Sequence, residues 1–100
     1  MKSYRLSIWD EAETELLDAI EWYNAEREGL GDQLLLEVQR TFRLVEQGPM
    51  RFQRVQGALR RAAVHRFPFS VIFRLRDEAI EILAIIHQSR HPSRWQERRR

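Results

Sequence analysis

Arginine is the residue type in this chain with the most capacity for chemistry. Arg60, Arg61 and Arg66 lie close together, and Arg74 and Arg76 share one face of an alternating segment with Ser70. Arg90 and Arg94 follow a little later. A guanidinium presents a planar fork of donors that grips phosphate or carboxylate through two bonds. Several of them converging on one side of a sheet could stabilise phosphoryl charge in a transition state by position alone, or hold an acidic peptide. Arg51, Arg54, Arg98, Arg99 and Arg100 read as ordinary surface charge. Arg74 interrupts an otherwise apolar stretch, which calls for a more specific role.

The other reactive side chains form no constellation. The absence of cysteine excludes disulfides, thiolate zinc sites and thiol nucleophiles. His87 and His91 are four apart, a spacing that could hold a metal on a helix, but Pro92 disfavours helix at His91. No metal and no cofactor is expected. Gly29-Leu30-Gly31 lacks the Lys-Ser/Thr that a phosphate loop needs, and no serine sits in a nucleophile elbow. Glu11, Asp18 and Glu21 lie opposite the apolar stripe of their helix and read as a solvated face. Trp95 could stack on a base, but packing on the helices as an anchor for the tail is the better reading. Trp9 and Trp22 suit the core edge or an interface, with Trp22 in a partner-facing patch.

Charge is separated along the chain although the net is only +2. From Asp10 to Glu46, eleven acids face three arginines; from Arg51 to Arg100, twelve arginines face four acids. A genome rich in GC explains arginine in place of lysine, but not the separation by sign. The basic half therefore implies an anionic partner. At 100 residues, one domain spanning 1–100 is expected, with a basic tail over 88–100. No apolar run follows Met1 to Arg5, and none reaches membrane-spanning length, so a cytoplasmic protein without membrane contact is expected.

The elements that must position these arginines follow from periodicity. Tyr4 to Trp9 alternates as a half-buried strand. Asp10 with Glu13 predicts a capping box opening a first helix, with a stripe of Ala12, Leu16, Ala19, Ile20 and Tyr23, ending near Arg27 or Glu28. Gly29-Leu30-Gly31 breaks it. A second helix from about Asp32 carries Leu35, Val38, Phe42 and Val45, and Gly48-Pro49 stops it. Met50 to Gly57 reads as a loop and Leu59 to Arg66 as a strand. Phe67-Pro68 is a turn, and Phe69 to Arg76 alternates as a strand. Asp77-Glu78 leads tightly into Ala79 to His87, a strand apolar on both faces and hence interior to its sheet, with Ile80, Ile82 and Ile86 on one face and Leu83 and Ile85 on the other. The expected fold class is α+β: an N-terminal strand, an antiparallel helical hairpin, then three antiparallel strands in one sheet packed on the hairpin.

The order of these pieces resembles a known family. Ile20-Glu21-Trp22-Tyr23, Gly48-Pro49, Gly57-Ala58-Leu59-Arg60-Arg61, Arg66-Phe67-Pro68-Phe69 and the tail His87, Arg90, Pro92, Trp95 are similar to the ParE/RelE toxins, or plasmid stabilisation proteins, over nearly the whole chain. The resemblance implies a toxin neutralised by a cognate antitoxin that wraps its groove. In ParE-like members the implied target is DNA gyrase. In RelE-like members it is the ribosome, where mRNA is cleaved by basic residues that activate the ribose hydroxyl. The ribonuclease reading would use Arg61, Arg66, His87 and Arg90. Ribonuclease members usually carry arginine where this chain has Ser70, and arginine at 60 or 61 is a poor proton donor. The pattern therefore favours the ParE-like branch, with no catalytic residue, and a target- and antitoxin-binding set of Arg60, Arg61, Arg66, Arg74, Arg90, Arg94, Trp95 and Trp22. A decayed, non-toxic binding module is the third reading.

Overall fold

The computed structural model describes residues 4–98. β1 (Arg5–Ile8) leads into α1 (Asp10–Glu26) and α2 (Leu30–Gln47). β2 (Gln53–Gln56), β3 (Leu59–Ala63), β4 (Phe69–Arg76) and β5 (Ala79–His87) follow, and a single turn of helix, α3 (Ser93–Gln96), ends the fold. The strands form one sheet in the order β1-β5-β4-β3-β2. The β1–β5 pair is parallel and the others are antiparallel. The α+β class and the helical hairpin are as the sequence predicts, and β5 is interior, paired on both edges.

The hairpin covers one face of the sheet. Ala12 and Leu16 of α1 and Leu34, Val38 and Val45 of α2 bury against Val71, Phe73, Ile80 and Ile82. Burial of apolar surface on this scale is the main stabilising term for a chain of this size. The opposite face carries a second, smaller cluster of Ile72, Ala84, Ile86 and Trp95.

Several boundaries depart from expectation for identifiable reasons. Helix α1 begins at Asp10 itself, with Trp9 as N-cap and no side-chain cap bond. The Trp9 amide still bonds the Ile82 carbonyl at 2.9 Å, so the strand ladder holds Trp9 extended up to the first helical residue. The acids Asp10, Glu11 and Glu13 keep their place at the positive end of the helix. Helix α2 starts at Leu30, two residues early, because Gly29 takes the left-handed turn at φ 87°. Gly31 lies inside α2, where a Cβ would collide with the Ile20 carbonyl and the Asn24 side chain.

The segment 50–57 is not a plain loop. A short turn of 3-10 helix at Pro49–Arg51 precedes β2, which gives the sheet a fifth strand. β3 ends at Ala63, since Arg66 adopts φ 72° and the chain turns there. On β5 the face assignment changes at a bulge: Ile72 pairs Ala84 but Phe73 pairs Ile82, leaving Leu83 as the extra residue. An inserted residue reverses the alternation beyond it. Ile80, Ile82 and Ile85 therefore face the hairpin, and Ile86 faces the other way with Ala84.

Candidate functional site: a basic groove and an open sheet face

The arginines that sequence places together are divided by the fold. Arg60 pairs with Phe73 on β4, and its guanidinium donates to the Phe52 carbonyl at 2.6 Å. It holds the turn before β2. Arg66 reaches α2, donating to Gln33 at 3.1 Å and lying 3.9 Å from the Glu37 carboxylate. Arg74 bonds Glu81 across the strand pair at 2.6 Å and stacks over the Trp9 ring at 5.1 Å. Both members of that pair are largely buried. These three interactions give the three arginines positioning roles, and Arg74's is the specific role its place in an apolar strand called for.

Arg61, Arg90 and Arg94 are different. All three are exposed. Arg90 and Arg94 border a groove of about 650 Å³ between α1 and the chain after β5. Its floor is aromatic and aliphatic. Tyr23 meets Phe67 edge-on at 5.2 Å and Phe69 at 6.1 Å, and Phe69 meets the His87 ring at 5.3 Å. Trp22 stands at the rim, 59% exposed, with its ring edge-on to Tyr23 at 5.0 Å. Asp18 and Glu15 line the α1 wall. The result is an apolar trough with cations on one bank and acids on the other. Its size and lining suit a peptide side chain or helix edge. Tyr23, Phe69 and Asp18 belong to it and were not singled out from sequence; the first two read simply as core stripe.

Trp95 is 6% exposed and packs on the sheet face opposite the hairpin, so it anchors the tail on the sheet and not on the helices. The tail is fixed further by Arg98, which reads as surface charge in the sequence but is partly buried against Glu15 and the Leu83 carbonyl. Arg99 and Arg100 lie outside the described residues.

The candidate ribonuclease set does not assemble into a reacting cluster. Arg66 is drawn to α2, and the His87 Nδ1 takes hydrogen bonds from the Ser89 amide at 3.1 Å and hydroxyl at 2.8 Å. His91 Nδ1 accepts from the Ser93 amide instead of joining His87 at a metal. Among the described residues no three histidine or acidic side chains come together as metal ligands. No helix among them is long and apolar enough to cross a membrane.

Fold and site together define a small basic α+β protein organised around a binding groove. Comparison then places it: the model of the ParE toxin of type II toxin–antitoxin systems matches residues 6–92, and the chain belongs to that family. It is a toxin-type chain of the ParE/RelE superfamily. Among solved structures it is similar to one of the chromosomal ParDE toxin–antitoxin system of P. aeruginosa, with a TM-score of 0.76 and 19% identity over 85% of this chain and 96% of that one. The RelBE2 toxin–antitoxin complex of Mycobacterium tuberculosis is also similar, with a TM-score of 0.57 and 15% identity over 85% of this chain and 98% of that one. No curated protein sequence matches the chain. Identities this low establish the shared fold.

Proposed function

We propose that this chain is a ParE-like toxin that inhibits DNA gyrase by protein–protein contact and is held inactive by a cognate antitoxin. The observation that carries the reading is the dispersal of the basic residues. Arg60, Arg66 and Arg74 are committed to structural bonds on separate parts of the sheet. Ser70, where ribonuclease relatives usually carry arginine, is 3% exposed beneath Trp95's side of the sheet. A nuclease needs its acid, base and phosphate-binding groups within hydrogen-bond reach of one reacting atom. A poison acting through contact needs only a surface.

That surface is the groove bounded by Trp22, Arg90 and Arg94. An exposed tryptophan beside arginines is the composition of an interface hot spot. An antitoxin segment with apolar anchors and acidic flanks fits both the aromatic floor and the cationic bank, and charge complementarity would speed its docking. The testing experiment is inducible expression of the chain with and without its antitoxin, followed by assays of nucleoid DNA breaks and of transcript integrity. Growth arrest with DNA breaks and intact mRNA supports the reading. Arrest with mRNA cut within codons on the ribosome supports the RelE-like alternative. Harmless expression supports a decayed binding module.

A further inference from the structure

The sheet face away from the hairpin holds a second pocket that neither the fold nor the toxin reading explains. It has a volume of about 220 Å³ and lies between the outer strands and α3. Ile72, Ile86 and Trp95 form its apolar floor. Ser70 also lines it, and the Ser70 Oγ is buried with no hydrogen-bond partner among the described residues. A buried hydroxyl without a partner is costly, and native structures seldom leave one without a reason.

Two cations stand over that hydroxyl. Arg61 pairs with Ile72 in the strand register, which sets it diagonal to Ser70 on the same face. Arg90 borders the pocket from the segment after β5. Neither guanidinium has an ion pair or hydrogen bond among the described residues, in contrast to Arg60, Arg66 and Arg74. The three donors thus converge from three separate segments on a space with no acceptor in it.

We propose that this pocket binds a phosphate monoester with a short apolar stem, its oxygens held by Arg61, Arg90 and the Ser70 hydroxyl and its stem laid on Ile72, Ile86 and Trp95. Three converging donors match the three acceptor oxygens of a phosphate better than the two of a carboxylate. Paired arginines suit its double charge and its fork-like geometry. The volume lies below the ~300 Å³ lower end of drug-sized pockets, so the ligand is small. Binding involves no bond breaking, and the proposal stands apart from the toxin reading.

The test uses the full chain with phenyl phosphate, inorganic phosphate and acetate at constant ionic strength, read by thermal melting and by the Trp95 indole resonance. Phenyl phosphate is expected to give a saturable rise in Tm and a shift of Trp95. Inorganic phosphate should bind several-fold more weakly, and acetate should not saturate. Arg61→Gln and Arg90→Gln, both exposed and so folded normally, should each weaken phenyl phosphate about tenfold, as expected for a hydrogen bond to a charged group. Arg40→Gln, on the outer face of α2, should change nothing. Ser70→Ala is the most discriminating variant. It should leave the unliganded Tm unchanged or higher, because it removes an unpaired hydroxyl, while weakening the ligand about threefold. A response that never saturates, equal binding by Arg61→Gln and Arg90→Gln, acetate as tight as phenyl phosphate, or a lower unliganded Tm for Ser70→Ala with binding intact would each overturn the proposal.

Discussion

Glu15 of α1 and Arg98 of the tail, 83 residues apart in sequence, meet in a two-bond carboxylate–guanidinium pair at 2.8 and 3.0 Å. The same Glu15 carboxylate accepts the Ile85 amide at 3.1 Å, and Arg98 donates to the Leu83 carbonyl at 2.6 Å. One ion pair therefore ties the first helix, the bulged part of β5 and the C-terminal segment together. The bulge accounts for the arrangement: it leaves backbone groups beside Leu83 and Ile85 for side chains to satisfy.

Removing one partner should cost more than a surface ion pair would. Both side chains are mostly shielded, at 15% and 22% exposure. Glu15→Ala leaves Arg98 and the Ile85 amide unsatisfied, and should destabilise the fold by roughly 2–3 kcal/mol. Glu15→Gln, which keeps an acceptor, should lose less. Calorimetric melting of both variants checks the order.

Trp95 should matter for stability as well as for shape. It is the largest member of the cluster on the open sheet face. Trp95→Ala should cost about 3–5 kcal/mol, the range for a large aromatic removed from a core. Arg94→Ala, one residue away and exposed, should shift the melting temperature by no more than a degree or two. Hydrogen exchange at the Ile86 amide would show whether the loss is local to that face.

Gly31→Ala tests whether helix propensity or packing decides. Alanine is the better helix former by about 0.8–1 kcal/mol. At this position its Cβ would meet the Ile20 carbonyl and the Asn24 side chain, and would force the helices apart. Net destabilisation of about 1–3 kcal/mol is expected, as for other overpacked sites. The urea midpoint should fall; an unchanged or higher midpoint would show that the hairpin yields.

Trp22→Ala should separate binding from folding. The side chain is 59% exposed, so unfolding free energy should change by less than about 0.5 kcal/mol. Affinity for the antitoxin should fall by 2 kcal/mol or more if Trp22 anchors the interface, about thirtyfold in Kd. Arg90→Ala should act mainly on the association rate and flatten its salt dependence.

Much of this fold was legible in the residues. The alternation of Phe69, Val71 and Phe73 and the stripe of Leu34, Val38 and Val45 are periodic over long stretches, and such patterns specify both element and buried face. β2 was not legible, because Gln53, Arg54, Val55 and Gln56 are all exposed and the strand exists only through pairing with β3. The bulge at Leu83 escaped for a similar reason: an unbroken apolar run carries no mark of where its alternation reverses. At the site, the exposure of Trp22 and the specific role of Arg74 could be read. The division of the arginines could not, since each is drawn to a partner far away in sequence: Arg66 to Glu37, Arg60 to the Phe52 carbonyl, Arg98 to Glu15.

The most direct test of the gyrase assignment is DNA cleavage by purified gyrase on supercoiled plasmid with increasing amounts of this protein. Linear DNA that accumulates with dose, loss of supercoiling activity, and reversal of both by the antitoxin are the predicted results. Unaffected gyrase at molar excess of the toxin, together with mRNA cut on translating ribosomes by the same preparation, would contradict the account.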